Sequence, residues 1–174
     1  YHAITEVRLV YSVYYENESS LDLYTSKTDG SDVKRIKLTP EINETSPNLS
    51  PDGTKIVYVK RFRETNGDGQ IYAIAIMDSN GENDHEITNR TKNVLESPQW
   101  SPDSSYISYA MGETSPTPNE TYWSIHTYEL SIGEDKIVTG KPERLLSTNR
   151  YHSWIPDSSS IIFNTRKNKT ATSG

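Results

Sequence analysis

The sequence predicts an all-β fold, a β-propeller of four-stranded antiparallel blades, with about three to four blades present. Three observations carry this prediction. A Ser-Pro and Pro-Asp turn motif recurs along the chain, strands of alternating polarity follow each copy, and Asp-Gly or Asn-Gly turns lie between the copies. Because a period of about 50 residues that holds four strands is typical of a propeller blade, we expect an incomplete ring or part of a larger propeller.

The recurring motif occupies residues 46–58, 97–109 and 152–163. In each copy a short strand ends at Leu or Trp, and Pro-Asp follows. Proline fixes φ there, and the aspartate can cap its own turn. We interpret these aspartates as turn residues and not as acid/base groups, because an active site needs different groups that converge once. They are Asp52, Asp103 and Asp157.

The strands that follow the motif alternate with the period of two that a half-buried strand requires. One face of these strands is expected to form a repeated core layer, from Ile56, Tyr58, Ile107, Tyr109, Ile161 and Phe163. Between the copies, Asp29-Gly30 and Asn80-Gly81 indicate hairpins, because both turn residues need positive φ. In the third interval, a strand at 122–128 is expected to pair with 142–146 through a longer loop.

The chain is therefore predicted to be one propeller region. A degenerate copy at 5–11 lacks the Pro-Asp turn. A lone arc of blades exposes strand edges, so we expect either a longer protein or a homo-oligomer in which another copy completes the ring. The expected region is 1–174, with blade repeats of roughly 1–45, 46–96, 97–150 and a partial 151–174.

These features resemble the TolB-like propeller repeat, in which Ser-Pro-x, an aromatic residue or Leu, and Ser-Pro-Asp-Gly precede a β-branched run closed by an aromatic residue. Ile87-Thr88 also stands where that pattern ends its last strand. The resemblance implies a non-catalytic binding or scaffolding module, periplasmic or at the cell surface, that binds a protein or a surface polymer. The alternative that the resemblance implies is a non-catalytic, substrate-gating propeller from a larger serine peptidase of the prolyl oligopeptidase type.

Composition excludes several classes of function. The net charge of −6 argues against nucleic acid as a partner, because a phosphate backbone requires a basic surface. The sequence contains no apolar run long enough to span a membrane. The absence of cysteine excludes disulfides, thiolate metal sites and a cysteine nucleophile.

No motif for catalysis, a metal or a cofactor is present, so the sequence predicts that the chain is not an enzyme. Gly-x-Ser-x-Gly does not occur. We interpret the four histidines, His2, His85, His126 and His152, as structural or exposed, because none has a partner at metal-ligand spacing. Oxygen-rich segments at 66–70 and 78–84 leave a calcium- or carbohydrate-dependent module as a weaker option, although hairpin turns explain them better.

Binding is expected in the loops that do not repeat, because a repeated scaffold leaves specificity to its insertions. These loops are 62–70 and 112–122. The predicted partner-contact residues are Arg61, Arg63, Tyr122 and Trp123.

Overall fold

The computed structural model describes residues 8–37, 39–64, 69–114, 121–139 and 151–164. Every regular element in these ranges is a β-strand. The described residues therefore contain no helix that could cross a membrane. The strands are β1 (Arg8–Tyr15), β2 (Ser20–Lys27), β3 (Lys34–Lys37), β4 (Ile42–Leu49), β5 (Lys55–Arg63), β6 (Gln70–Asp78), β7 (His85–Glu86), β8 (Val94–Trp100), β9 (Tyr106–Thr114), β10 (Thr121–Glu129), β11 (Glu134–Ile137), β12 (His152–Trp154) and β13 (Ile161–Phe163).

The strands form four separate antiparallel sheets, each ordered as the chain runs. We name them blade 1 (β1–β3), blade 2 (β4–β7), blade 3 (β8–β11) and blade 4 (β12–β13). This confirms the predicted all-β partial propeller. The expected repeat boundaries at 45/46 and 96/97 lie inside β4 and β8, because the Ser-Pro motif belongs to the first strand of a blade. The division of the whole chain into one propeller region stays a prediction.

Each Pro-Asp turn is closed by its own aspartate, as predicted. In blade 2, the Ser50 hydroxyl donates to Asp52 at 2.7 Å, and the Thr54 amide donates to the same oxygen at 3.0 Å. The Lys55 amide then donates to the Ser50 oxygen at 2.9 Å. Blade 3 repeats these bonds around Asp103 through Ser101, Ser105 and Tyr106, and in blade 4 the Ser159 amide donates to Asp157.

The Ser-Pro pair of the motif forms a bulge in the first strand of a blade. Ser46 and Ser97 both have φ of 53°. The pairing register shifts at the same places, between Thr45 and Asn48 in β4 and at the equivalent position in β8. Because proline has no N–H to give to a neighbouring strand, a bulge is where a sheet accepts it. The motif therefore defines the bend of the strand as well as the turn that follows.

Neighbouring blades pack face to face. We call the face of blade 2 that bears Ile56 and Tyr58 its leading face, and the face that bears Val57 and Val59 its trailing face; the equivalent faces of the other blades take the same names. Each leading face packs on the trailing face of the blade before it, which confirms the predicted core layer. Between blades 1 and 2, Val10 and Leu23 pack on Ile56 and Tyr58. Between blades 2 and 3, Val57, Val59 and Ile74 pack on Ile107 and Tyr109. Between blades 3 and 4, Ala110 and Ile125 pack on Ile161 and Phe163.

Two blade faces are not covered by any blade within the described ranges. Leu9, on the leading face of blade 1, is 48% exposed, whereas Ile56 at the equivalent position is fully buried. Ile162, on the trailing face of blade 4, is 64% exposed, whereas Val57 and Ser108 are fully buried. Both faces thus carry side chains of the kind that lies between blades elsewhere in the chain.

The outer strand of blade 3 differs from the sequence prediction. Strand β10 pairs with β11, which follows directly after a turn at 130–133 in which Gly133 has φ of 71°. The prediction of a longer loop after β10 was wrong, because this turn lacks the Asp-Gly or Asn-Gly pair of the other blades. The segment 142–146, expected to be the partner strand, lies outside the described residues.

Candidate binding surfaces

The four predicted contact residues lie at one edge of the blades. Arg61 and Arg63 are near the end of β5, and Tyr122 and Trp123 are near the start of β10. We call this edge, where the second strand of a blade leads to the third, the B–C edge. The loop tips that belong to it, 65–68 and 115–120, lie outside the described residues.

Arg61 is held in place by two neighbours in the next strand. Its guanidinium donates to the Gln70 side-chain oxygen at 2.7 Å and lies 5.8 Å from the centre of the Tyr72 ring. The Tyr72 hydroxyl donates to the same Gln70 oxygen at 2.7 Å. Arg63, two residues further along β5, is exposed. One arginine is therefore preorganised, and the other is open to solvent.

A second arginine–aromatic stack, which the sequence analysis missed, lies beside the first. The Arg90 guanidinium lies 4.0 Å from the centre of the Phe62 ring and donates twice to the Glu86 carboxylate, at 2.9 and 2.8 Å. These bonds lower the pKa of Glu86 and raise the pKa of Arg90. Arg90 follows the outer strand, so only the folded blade brings it to Phe62.

Tyr122 and Trp123 point to opposite sides of blade 3. Trp123 is 5% exposed and lies in the cluster with Ala110 and Ile125, against blade 4. Gly112 makes room for it, because a Cβ there would lie 3.0 Å from the indole ring. Tyr122 is half-buried on the leading face, toward blade 2, whose trailing face carries Arg61. That Arg61, Arg63, Tyr122 and Trp123 contact a partner stays a prediction. Trp123, being buried, packs beneath the B–C edge.

A cleft of about 440 Å³ lies between blades 2 and 3. Its blade 2 wall is the end of β7 and the chain that follows it, and its blade 3 wall is the leading face of β8 to β11. Nothing in the sequence pattern predicted it. The lining residues are Glu86, Ile87, Thr88, Asn89, Thr91, Leu95, Tyr109, Met111, Tyr128, Gly133 and Asp135.

Asp135 is the acidic group on the blade 3 wall of this cleft. Its carboxylate accepts a hydrogen bond from the Tyr109 hydroxyl at 2.7 Å, and the other oxygen lies 2.9 Å from His126 Nδ1. The His126 ring stacks on Tyr109 with 5.2 Å between ring centres. Burial and the nearby carboxylate raise the pKa of Tyr109. Burial alone raises the pKa of Asp135, but the bonds from His126 and Tyr109 outweigh it and lower the value.

Ser124, His126 and Asp135 are hydrogen-bonded in the order of a serine hydrolase triad. Ser124 Oγ lies 3.1 Å from His126 Nε2. Both side chains are buried, however, and neither lines the cleft. We interpret them as a structural network. The carboxylate partner of His126 was missed because it lies on the neighbouring strand; the signal was the aspartate that stands at the equivalent place in blade 2, Asp84.

The calcium candidate at 78–84 is a turn. The Asp78 amide donates to the Glu82 carbonyl at 2.9 Å, and the Asp78 carboxylate is bound by Lys55 at 2.8 Å. The other candidate, 66–70, lies mostly outside the described residues. In the part of the chain that is described, no group of three His, Cys, Asp or Glu side chains has the arrangement of a metal site.

No family model matches the chain. A curated relative, the Tol-Pal system protein TolB of Francisella tularensis subsp. mediasiatica (strain FSC147), is 31% identical over 111 residues, which are 62% of this chain and 22% of that protein. A solved structure of a putative TolB from Agrobacterium tumefaciens matches 75% of this chain and 44% of its own, with a TM-score of 0.57 and 16% identity. The described blades are TolB-like propeller blades. The resemblance inferred from the turn motif is thereby confirmed.

The TolB-like chain spans about a fifth of the length of the curated relatives it matches. Its fold is also similar to a structure of prolyl endopeptidases, with a TM-score of 0.56 at 16% identity over 92% of this chain and 25% of that one. At that identity the likeness concerns the fold alone. The blade architecture is thus shared by proteins of different activity.

Proposed function

We propose that this TolB-like propeller is a non-catalytic module that binds a protein partner outside the cytoplasm. The curated relatives are named as Tol-Pal system proteins, which supports a protein component of such a system as the partner. A cell-surface polymer is the other partner class. Location outside the cytoplasm is tested by fractionation of the native cells with an antibody against the chain.

The observation that carries the binding proposal is the pair of arginine–aromatic stacks at the B–C edge. Arginine and aromatic residues are enriched in protein interfaces, and arginine, tyrosine and tryptophan are enriched among the few residues that supply most of the binding energy. A guanidinium already stacked on a ring loses less freedom on binding than a free side chain does. Arg61 on Tyr72 and Arg90 on Phe62 give the edge two such anchors, and Arg63 and Tyr122 extend it.

The test measures binding of the purified chain to the Pal protein of the same organism by isothermal titration calorimetry. We expect Arg61→Ala and Arg90→Ala each to weaken binding by about tenfold, because truncation of an anchor residue costs more than about 1 kcal/mol. Lys55→Ala is the matched control. It removes a cation from the opposite end of the same strand, β5.

Full affinity in both variants would exclude the B–C edge as the binding surface. If Pal does not bind the wild-type chain but isolated peptidoglycan does, the partner is the polymer. Binding to neither excludes the proposed function in both forms.

The uncovered blade faces support a second copy of the chain as a further partner. Face-to-face stacking between blades is already the interface inside the chain, and Leu9 and Ile162 continue it outward. We expect analytical ultracentrifugation to give a mass of at least twice the 19.7 kDa of one chain. Ile162→Asp and Leu9→Asp should each return the monomer, because either removes one side of a head-to-tail contact. A wild-type monomer at high concentration contradicts self-association.

A substrate-gating propeller of a larger serine peptidase is the alternative function. Its support is the likeness of fold to prolyl endopeptidases. The coding sequence that flanks these residues in the genome decides between the two. A Ser/Asp/His hydrolase domain on the same polypeptide would support the peptidase, and a Pal gene in the same cluster would support the binding module.

A further inference from the structure

Blade 2 contains its own ammonium site. The Lys60 Nζ atom lies 2.8 Å from one oxygen of Asp84, and the Tyr58 hydroxyl donates to the other. The same Nζ lies 5.9 Å from the centre of the Tyr58 ring. Lys60 is buried as a whole side chain. A tyrosine and an aspartate at these two positions of the repeat, with the buried Glu44 paired opposite Lys60, therefore bind an alkylammonium group between blades.

Blade 3 keeps the tyrosine and the aspartate but not the lysine. Tyr109 bonds to Asp135 as Tyr58 bonds to Asp84, and both pairs are 26 residues apart. The residue two positions after the tyrosine is Met111 in place of Lys60. Its strand neighbour in β8 is Leu95. Met111 thus replaces Lys60, and Leu95 replaces the buried Glu44 that pairs with Lys60. His126 holds the aspartate oxygen that Lys60 binds in blade 2.

The cleft opens where that lysine is missing. Tyr109, Met111, Leu95 and Asp135 all line it. The Asp135 side chain is 40% exposed, compared with 16% for Asp84. The volume of about 440 Å³ is in the range of small-ligand pockets, which is roughly 300–1,000 Å³.

The charges around the cleft favour a cation. Glu86 also lines it, but Arg90 binds both of its carboxylate oxygens. Asp135 accepts a hydrogen bond from a hydroxyl and lies against an imidazole nitrogen, whereas Glu86 is bound by a guanidinium. Among the described residues that line the cleft, none is a lysine or an arginine. An ammonium in the cleft would therefore gain an ion pair with a partly buried carboxylate and contact with two tyrosine rings.

We propose that this cleft binds an alkylammonium group, with the ammonium at Asp135 and the carbon chain along Met111 and Leu95. The ligand lies on the open side of Asp135, because His126 already holds the second carboxylate oxygen, the one that Lys60 binds on Asp84 in blade 2. Two sources carry this chemistry, a free aliphatic amine and the lysine side chain of another protein. The proposal does not rest on the proposed function, because the B–C edge and the cleft can be tested by separate variants.

The test is an NMR titration of the ¹⁵N-labelled chain with Nα-acetyl-lysinamide and, as a matched neutral probe, Nα-acetyl-norleucinamide. We expect saturable shifts of the Thr88, Asn89 and Asp135 amides with the lysine probe only. These shifts should decrease as salt rises, because the contact is an ion pair at a partly exposed site. Equal shifts with the neutral probe, or shifts spread away from the cleft, would overturn the proposal.

Two variants test the placement of the ammonium. Met111→Lys should abolish binding, because it brings the chain's own ammonium into the cleft beside Asp135. Asp135→Asn should weaken binding by about tenfold or more, because it removes the charge. Glu16→Gln, an exposed turn carboxylate in blade 1, is the control and should change nothing. If circular dichroism shows that Met111→Lys is folded and this variant still binds the lysine probe, the proposal is wrong, regardless of how Asp135→Asn behaves.

n-Butylammonium and a lysine-containing hexapeptide distinguish the two sources. Binding of the peptide about tenfold tighter than the amine indicates a lysine of a protein, since its flanking residues then add contacts. Equal or weaker binding of the peptide indicates a free amine. Absence of shifts with both overturns the proposal.

Discussion

Tyr109 donates a hydrogen bond of 2.7 Å to Asp135, across the width of blade 3. The Tyr58 hydroxyl makes the same contact with Asp84 in blade 2. In each blade the tyrosine lies on the second strand, and the aspartate lies where the outermost strand begins. The pair therefore fastens the outer strand to the interior of the blade.

Removal of either hydroxyl should destabilise the protein. Burial and the carboxylate raise the pKa of both tyrosines, so each remains a protonated donor at neutral pH. A hydrogen bond to a charged group contributes about 1.5–3 kcal/mol. We expect Tyr58→Phe and Tyr109→Phe each to lower the free energy of unfolding in urea by about that amount. Tyr14→Phe is the control, because the Tyr14 ring is largely exposed. If Tyr58→Phe and Tyr109→Phe lower the free energy of unfolding no more than Tyr14→Phe does, the hydrogen bonds do not have the assigned role.

Gly81 should not tolerate a side chain, because two blades meet at its turn. Its φ is 92°, and an added Cβ would lie 2.3 Å from the carbonyl oxygen of Ile36 in blade 1. Gly30 is the matched control, since its φ is 83° but nothing lies within 4 Å of the Cβ position. Both alanine variants carry backbone strain of about 1 kcal/mol. We expect Gly81→Ala to lower the melting temperature further than Gly30→Ala, and equal losses would exclude the inter-blade contact as the cause.

The turn chemistry and the core layer could be predicted from the sequence, because both depend on residues close together in the chain. Asp52 reaches Ser50 and Thr54 within its own turn, so a local pattern is sufficient to identify it. The alternation of Ile56 and Tyr58 follows from strand geometry alone.

The cleft and the His126 network could not be predicted in this way. They depend on which side chains of different strands meet, and that depends on strand register and blade packing. The turn at 130–133 decides that Asp135 lies opposite Tyr128 on the neighbouring strand, but it lacks the strong Asp-Gly or Asn-Gly signal. Because no sequence signal defines where β11 begins, the sequence pattern did not identify the carboxylate that organises the candidate site.

The Ser124–His126–Asp135 chain should support the fold and not react. A catalytic serine must be reached by its substrate, and Ser124 is buried behind the cleft. We expect no labelling of the native chain by a fluorophosphonate probe, measured by intact mass spectrometry with a serine esterase as the positive control. Ser124→Ala should still leave the chain folded, because it removes one partner of His126 and keeps Asp135. Stoichiometric labelling that Ser124→Ala abolishes would show that the network is an active site.

His152 should make the stability of the protein depend on pH at the junction of blades 3 and 4. It is buried, its Nε2 atom lies 2.8 Å from the Ser108 hydroxyl, and its carbonyl accepts a bond from Gln99 at 2.7 Å. Burial lowers its pKa to about 4, from 6.5. Between these values the unfolded chain binds a proton that the folded chain does not, so stability decreases as pH falls through that window.

The loss from this one group should approach about 3 kcal/mol at pH 4, since each unit of pKa difference corresponds to about 1.4 kcal/mol. Urea unfolding at pH 7.5, 6.5, 5.5 and 4.5 measures it. Other groups titrate over the same range, so the decisive quantity is the difference in slope between wild type and His152→Gln, which lacks the titrating ring. We expect the variant to be less stable at pH 7.5, because packing at the blade junction is lost, and to lose less stability on acidification. Equal slopes of unfolding free energy against pH in the two proteins would contradict this prediction. They would mean that blade 4 separates from blade 3 before His152 is protonated.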